Sequence, residues 1–289
     1  MSDQPYHASN ARIDALPPLR EVIKSYGLDA KKSLGQNFLF DLNLTGRIAR
    51  AAMPLDGTVI EIGPGPGGLT RALLLAGAEK VIAIEKDRRA IEALGSLVIA
   101  AEGRLEIIEG DALDVDIKSL GQANSRRQIV ANLPYNIATA LLIGWLEHAH
   151  AFASMTLMFQ REVAMRLVAQ PDEKAYGRLS VITQWLCEAE LKFDIPPQAF
   201  VPPPKVTSSV VHLVPRSQPL FDCRKEDLEA VTAIAFGQRR KMLRASFKKY
   251  GGEAMLTKAN IDPSVRPQQL SIEAFCRLAR YMHANQLLG

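Results

Sequence analysis

Long apolar runs are missing from this 289-residue chain. No stretch reaches the roughly 18 residues of a membrane-spanning helix. The opening MSDQPYHASN has no basic segment followed by an apolar one, so neither secretion nor membrane insertion is expected. Cysteine is scarce. Cys187, Cys223 and Cys276 are far apart and form no C-x-x-C pair, which excludes a disulfide framework and a structural zinc site and predicts a reducing, cytoplasmic setting. The five histidines (His7, His148, His150, His212 and His283) lie outside every motif, and no Cys or carboxylate cluster joins His148 and His150, so no metal site is predicted. Internal repeats and low-complexity tracts are absent too. What remains, 47% hydrophobic and 23% charged, is a globular chain long enough for one large domain and a smaller one.

The net charge of +4 is modest but uneven. Residues 216–289 carry 13 Lys/Arg against 7 Asp/Glu, whereas residues 1–215 carry 22 against 24. A basic final quarter points to a polyanionic partner such as nucleic acid, although solvated helix faces are often basic as well.

Hydrophobic patterning gives the architecture. Pro18 to Tyr26 reads as a short helix closed by Gly27. From residue 57, Val- and Ile-rich runs (TVIEIG, KVIAIE, RLEIIEG, RQIVANL, ASMTLMFQ) alternate with helical patterns, which predicts right-handed βαβ units and a parallel sheet covered on both faces. CEAELKFDI and TSSVVHLVP read as a closing pair of strands around the proline-rich FVPPPK. KEDLEAVTAIAFGQRRKMLRASFKKY reads as one long amphipathic helix or two abutting ones, and SIEAFCRLARYMHANQ as a helix capped by Ser271. The expected plan is an α/β domain over residues 1–213 and a small helical domain over 214–289.

At the first strand-to-helix junction stands VIEIGPGPGGLT. Gly63, Gly65 and Gly68 fit the dinucleotide spacing G-x-G-x-x-G, while Gly63, Gly65 and Gly67 fit the G-x-G-x-G of nucleoside-binding methyltransferases. Both use glycine so that a nucleoside passes close over the backbone. Pro64 and Pro66 remove backbone donors that a pyrophosphate needs, and Glu61 places a carboxylate where a cationic group can be met, so the balance favours S-adenosylmethionine. Glu85 ends the second strand, placed to accept from ribose hydroxyls, and Asp111 ends the third, placed to accept from an adenine amine or to cap a turn.

Asn132-Leu133-Pro134-Tyr135 ends the fourth strand, on the edge where open parallel sheets bind ligands. An adenine amine is a poor nucleophile because its lone pair is delocalised. The Asn132 side-chain carbonyl and the Leu133 backbone carbonyl can each accept one amine N–H, Pro134 restrains the turn, and Tyr135 offers a ring on which a flipped base stacks. No general base is required.

KSLGQNFL, EIGPGPGGLT, IEKD, GDAL, NLPYNI, FQREVAMRL and FVPPPKVTSSVV, in this order, resemble the ribosomal RNA adenine dimethylase family over roughly residues 20–285, most nearly its bacterial members acting on 16S rRNA. The resemblance implies a Rossmann-like S-adenosylmethionine-dependent methyltransferase sheet with a small C-terminal helical domain. It implies dimethylation of two adjacent adenosines in a hairpin near the 3′ end of 16S rRNA, in the 30S subunit or its precursor, by a monomer. By the same resemblance Asn37, Leu39, Gly63, Glu85, Asp111 and Asn132 contact the cofactor, and Tyr135 and Phe200 bracket the target adenine. Beside three prolines, Phe200 otherwise reads as a packing residue. Arg240, Arg244 and Lys248, four apart, are expected to form one helical stripe touching RNA phosphates, with Leu243 and Phe247 facing a core. Residues before about 18 have no counterpart in the motifs. A 23S rRNA methyltransferase, an assembly factor acting by binding, and an NAD-dependent oxidoreductase are the competing readings. DNA adenine enzymes, with N-P-P-Y or D-P-P-Y, fit less well because Leu133 replaces the first proline.

Overall fold

The computed structural model describes residues 9–28, 37–121 and 125–288. KSLGQ, the start of KSLGQNFL, lies outside the described residues. Helices α1 (Ser9–Asp14) and α2 (Leu19–Ser25) lead to the two-residue strand β1 (Phe38–Leu39) and to α3 (Leu42–Ala51). The expected alternation follows with β2 (Thr58–Ile62), α4 (Gly68–Leu75), β3 (Lys80–Glu85), α5 (Arg88–Ala93), α6 (Gly95–Ala100) and β4 (Leu105–Glu109). It continues through β5 (Arg127–Asn132), α7 (Tyr135–Leu146), β6 (Ser154–Gln160), α8 (Arg161–Val168) and α9 (Arg178–Leu186). Then come β7 (Cys187–Ile195), β8 (Phe200–Val201) and β9 (Ser208–Pro215), and finally α10 (Lys225–Gly237), α11 (Leu243–Ser246), α12 (Gly252–Lys258) and α13 (Ile272–Ala284).

The main sheet has the order β4-β3-β2-β5-β6-β9-β7. β2 pairs in parallel with β3 and β5, β3 with β4, and β5 with β6, while β9 runs antiparallel to β6. Every residue of β2 is buried, which is why TVIEI lacks the polar alternation of a one-sided strand. The order reverses between β2 and β5, and such switch points open a crevice at the carboxyl ends of the strands. A separate ribbon pairs β1 with β8, matching Leu39 to Phe200 and Phe38 to Val201. Helix α1, to which the sequence assigned no role, is bound into this unit. Arg104 donates to the Ser9 hydroxyl at 2.7 Å and to Asn10 Oδ1 at 2.9 Å, and Ile13 joins the core.

Packing divides the chain into residues 1–164 with 190–215, and residues 165–189 with 216–289. This differs from the single boundary expected after residue 213. The reason is apolar: Tyr176, Val181 and Trp185 are buried in one core with Leu228, Val231, Phe275 and Leu278. Polar contacts secure them, since Trp185 Nε1 donates to the Phe221 carbonyl at 2.7 Å and the Tyr176 hydroxyl to the Leu270 carbonyl at 2.9 Å. A second correction concerns the basic segment. α10 ends at Gly237, and Arg240 lies in the following turn, Arg244 in the short α11 and Lys248 in a 3₁₀ turn, so no continuous stripe forms. Leu243 and Phe247 are fully buried, as expected. The Ser271 cap is present, its hydroxyl accepting from Ala274 N at 3.1 Å. Among the described residues no helix is long and apolar enough to cross a membrane.

Candidate active site

The strand ends of β2, β3, β4 and β5 surround a cavity of about 200 Å³. Asn37, Leu39, Gly63, Glu85, Asp111 and Asn132 all line it, together with Leu133, Pro134, Tyr135 and Glu61. Sequence positions spread over a hundred residues thus meet at one sheet edge.

The glycine loop shows why its residues are small. Gly63 holds φ +66°, a left-handed backbone that L side chains avoid, and a Cβ there would meet nothing within 4 Å. The space above it is open to a ligand. At Gly65 a Cβ would come within 2.8 Å of the Phe38 ring, so β1 lies directly on the loop. Three of the loop N–H groups are already engaged: Gly63 N donates to the Ile84 carbonyl at 2.9 Å, Gly65 N to Glu85 Oε2 at 3.1 Å and Gly67 N to the Pro64 carbonyl at 3.0 Å. With the prolines contributing none, this loop has few donors for a pyrophosphate. The residues fit a nucleoside without phosphates.

Three carboxylates stand around the cavity. Glu61 is 1% exposed, and burial pushes its carboxyl up to about 8, with the Thr70 hydroxyl opposing and Glu85 adding to the rise. Its Oε2 makes no well-aligned hydrogen bond among the described residues, so a cationic ligand group would compensate it. Glu85 is fixed by Gly65 N, Lys86 N and Asp87 N, the last two at 2.8 Å on Oε1; burial nevertheless raises its pKa. A carboxylate offers about four acceptor sites, which leaves one for a ribose hydroxyl. Asp111 accepts from Lys86 Nζ at 2.7 Å and from Leu113 N at 3.1 Å, and the Lys86 bond holds its carboxyl below the usual range. Lys86 therefore competes with any adenine amine for Asp111.

Asn132 is oriented rather than loose. Its Nδ2 donates to the Asn37 carbonyl at 3.2 Å, which assigns the amide and leaves Oδ1 as the acceptor end. Leu133 is buried, and the Pro134 carbonyl accepts from Ile137 N and Ala138 N to start α7. The Tyr135 hydroxyl meets Ser208 Oγ at 2.5 Å, and burial raises the phenol pKa while the Ser208 bond lowers it. Ser208 and the Asn37 carbonyl were missed by sequence reasoning, because neither a buried serine on a strand nor a backbone oxygen gives a sequence signal. Phe200, on β8 opposite Leu39, is 1% exposed and packed in the core, and it is not among the residues that line the cavity. Arg240, Arg244 and Lys248 are exposed, and Arg244 faces Glu253 at 3.8 Å.

Solved structures share this arrangement. A dimethyladenosine transferase from Plasmodium falciparum superposes with a TM-score of 0.72 at 25% identity, covering 86% of this chain and 98% of that one. The 23S rRNA methyltransferase ErmE gives a TM-score of 0.66 at 26% identity, covering 86% of this chain and 100% of that one. The sheet order, the phosphate-free glycine loop and these likenesses define a Rossmann-like methyltransferase. The sequence pattern of the ribosomal RNA adenine dimethylase family matches residues 27–284, and the ribosomal RNA small subunit methyltransferase A of Rhodospirillum rubrum is 61% identical over 98% of this chain and 99% of that one. The namesake protein of Agrobacterium fabrum is 59% identical over 93% of this chain and 99% of that one. The chain belongs to the ribosomal RNA adenine dimethylase family and is a methyltransferase.

Proposed function

We propose that this protein dimethylates the exocyclic amines of two adjacent adenosines in a hairpin near the 3′ end of 16S rRNA, using S-adenosylmethionine. It acts as a cytoplasmic monomer on the 30S subunit or its precursor and so contributes to small-subunit biogenesis. The observation that carries the reading is the Asn132 amide, held by the Asn37 carbonyl with its oxygen end left to accept, beside the open space over Gly63. S-Adenosylmethionine supplies an electrophilic methyl group on a sulfonium. Asn37, Leu39, Gly63, Glu85 and Asp111 bind the cofactor. Asn132 Oδ1 and the Leu133 carbonyl accept the amine N–H groups and aim the lone pair, so rate comes chiefly from positioning. Tyr135 stacks on the base, and Phe200 packs into the core the strand β8 that pairs with β1. The methylated amine loses its proton to water. Arg240, Arg244 and Lys248 contact RNA phosphates.

The relatives at about 60% identity are named for the small subunit, which favours 16S over the 23S target of the more distant ErmE. The spent glycine N–H groups disfavour NAD. Mass spectrometry of 16S rRNA in unmodified 30S particles after reaction tests the proposal: two adjacent dimethyladenosines are expected, and labelling of naked 23S rRNA instead would overturn it.

A further inference from the structure

The Tyr135 hydroxyl is held from a strand end that needs anchoring of its own. Ser208, whose Oγ meets that hydroxyl at 2.5 Å, is the first residue of β9, pairs with Gln160 at the last residue of β6 and follows the proline-rich loop. Because side chains alternate along a strand, a one-residue slip would turn this serine to the other face of the sheet. Bonds on either side of Ser208 oppose the slip. Before it, the Thr207 carbonyl accepts from Arg161 N at 2.9 Å. After it, the fully buried Ser209 donates from Oγ to Asp194 Oδ1 at 2.6 Å. Arg161 Nε closes the ring by donating to Asp194 Oδ2 at 3.0 Å. Arg161 at the start of α8 and Asp194 near the end of β7 thus hold both neighbours of the serine, and neither is among the residues that line the cavity.

We propose that Arg161 and Asp194 are positioning residues that act through Ser208 on the Tyr135 ring, and that this clamp governs the second methyl transfer to each amine more than the first. The inference rests on the dimethylation proposed above. In each transfer the amine lone pair forms the new N–C bond, the C–S bond of the sulfonium breaks with its electrons passing to sulfur, and one amine proton leaves to water. An unmethylated amine brings two N–H groups to the Asn132 Oδ1 and Leu133 carbonyl acceptors, whereas a monomethylated amine brings one. With half of its polar alignment gone, the base depends more on the wall it stacks against, so a displaced Tyr135 slows the second transfer more.

The test follows single-turnover methylation of unmodified 30S particles by nucleoside mass spectrometry, which reads monomethyladenosine and dimethyladenosine separately. Wild type is expected to pass through little monomethyladenosine. Asp194→Ala and Arg161→Met should accumulate it, the second transfer slowing about fivefold more than the first, the worth of one hydrogen bond. Arg161→Lys, which keeps the charge, should restore most of the dimethyl product. Asp194→Ala leaves the buried Ser209 hydroxyl unpaired and should melt lower, but Arg161→Met breaks only the ion pair, whose ends are 51% and 44% exposed, and should melt close to wild type. In a Tyr135→Phe background, which lacks the hydroxyl, neither variant should shift the product ratio further, whereas a purely structural role would shift it in both backgrounds. An unchanged ratio in either variant, or an equal shift with Tyr135→Phe present, overturns the inference alone. Wild type leaving no dimethyladenosine in 16S rRNA overturns the proposed substrate and the inference with it.

Discussion

Replacing Asn132 separates chemistry from architecture. Asn132→Ala removes one hydrogen bond, to the Asn37 carbonyl at 3.2 Å, from a half-buried side chain. Losing it costs about 1 kcal/mol of stability. If Oδ1 accepts the adenine amine in the transition state, the rate should fall by about 10²–10³, or about 3–4 kcal/mol, as for removal of one preorganised polar group. The chemical loss therefore exceeds the structural one. Asn132→Asp sharpens the contrast, because it keeps acceptor oxygens but turns an anion instead of a donor towards the Asn37 carbonyl. It should be as slow as alanine. The assay is single-turnover methylation of unmodified 30S particles with labelled S-adenosylmethionine, alongside RNA binding and thermal melting. Asn132→Ala within about threefold of the wild-type rate, against the expected 10²–10³, would refute the reasoning; so would equal losses of binding and rate.

Tyr135→Phe and Ser208→Ala should each slow methylation about fivefold, the worth of one hydrogen bond, and the double variant should be no slower than either, because both break the same contact; additive effects in the kinetic cycle would separate the residues. Removing Arg240, Arg244 and Lys248 together should lower the salt slope of RNA binding by about 2, as measured by titration across salt concentrations, with Arg244 contributing least because Glu253 already faces it. Glu61 has a folded pKa of about 8 against an ordinary 4.5, so the unfolded chain binds fewer protons across that window and stability falls as pH rises through it. Glu61→Gln should therefore melt higher than wild type at pH 8 without cofactor and close to it at pH 4.5, by calorimetry.

The alternating strands and helices were legible because buried parallel strands leave continuous Val and Ile runs, and the strand-end motifs were legible because ligand sites there need glycine, carboxylate and amide at fixed offsets. Asn37, Glu85, Asp111 and Asn132 accordingly meet at one cavity. The basic stripe failed because Gly237 and the following turn end α10, a break that charge spacing does not register. The burial of Phe200 was not legible for a different reason: whether a phenylalanine faces a cavity or a core depends on the β1–β8 pairing, which joins segments far apart in sequence.

The placement of residues 165–189 has a consequence for inheritance. Strands on both sides of this segment belong to the sheet, yet its own side chains belong with the C-terminal helices. A fragment ending at Pro215 would strand Tyr176, Val181 and Trp185 without Leu228, Val231 and Phe275, and would be expected to self-associate through them. Recombination that exchanges the second unit for another must therefore cut the gene at three junctions and carry both pieces together, so the two units are constrained to evolve as partners.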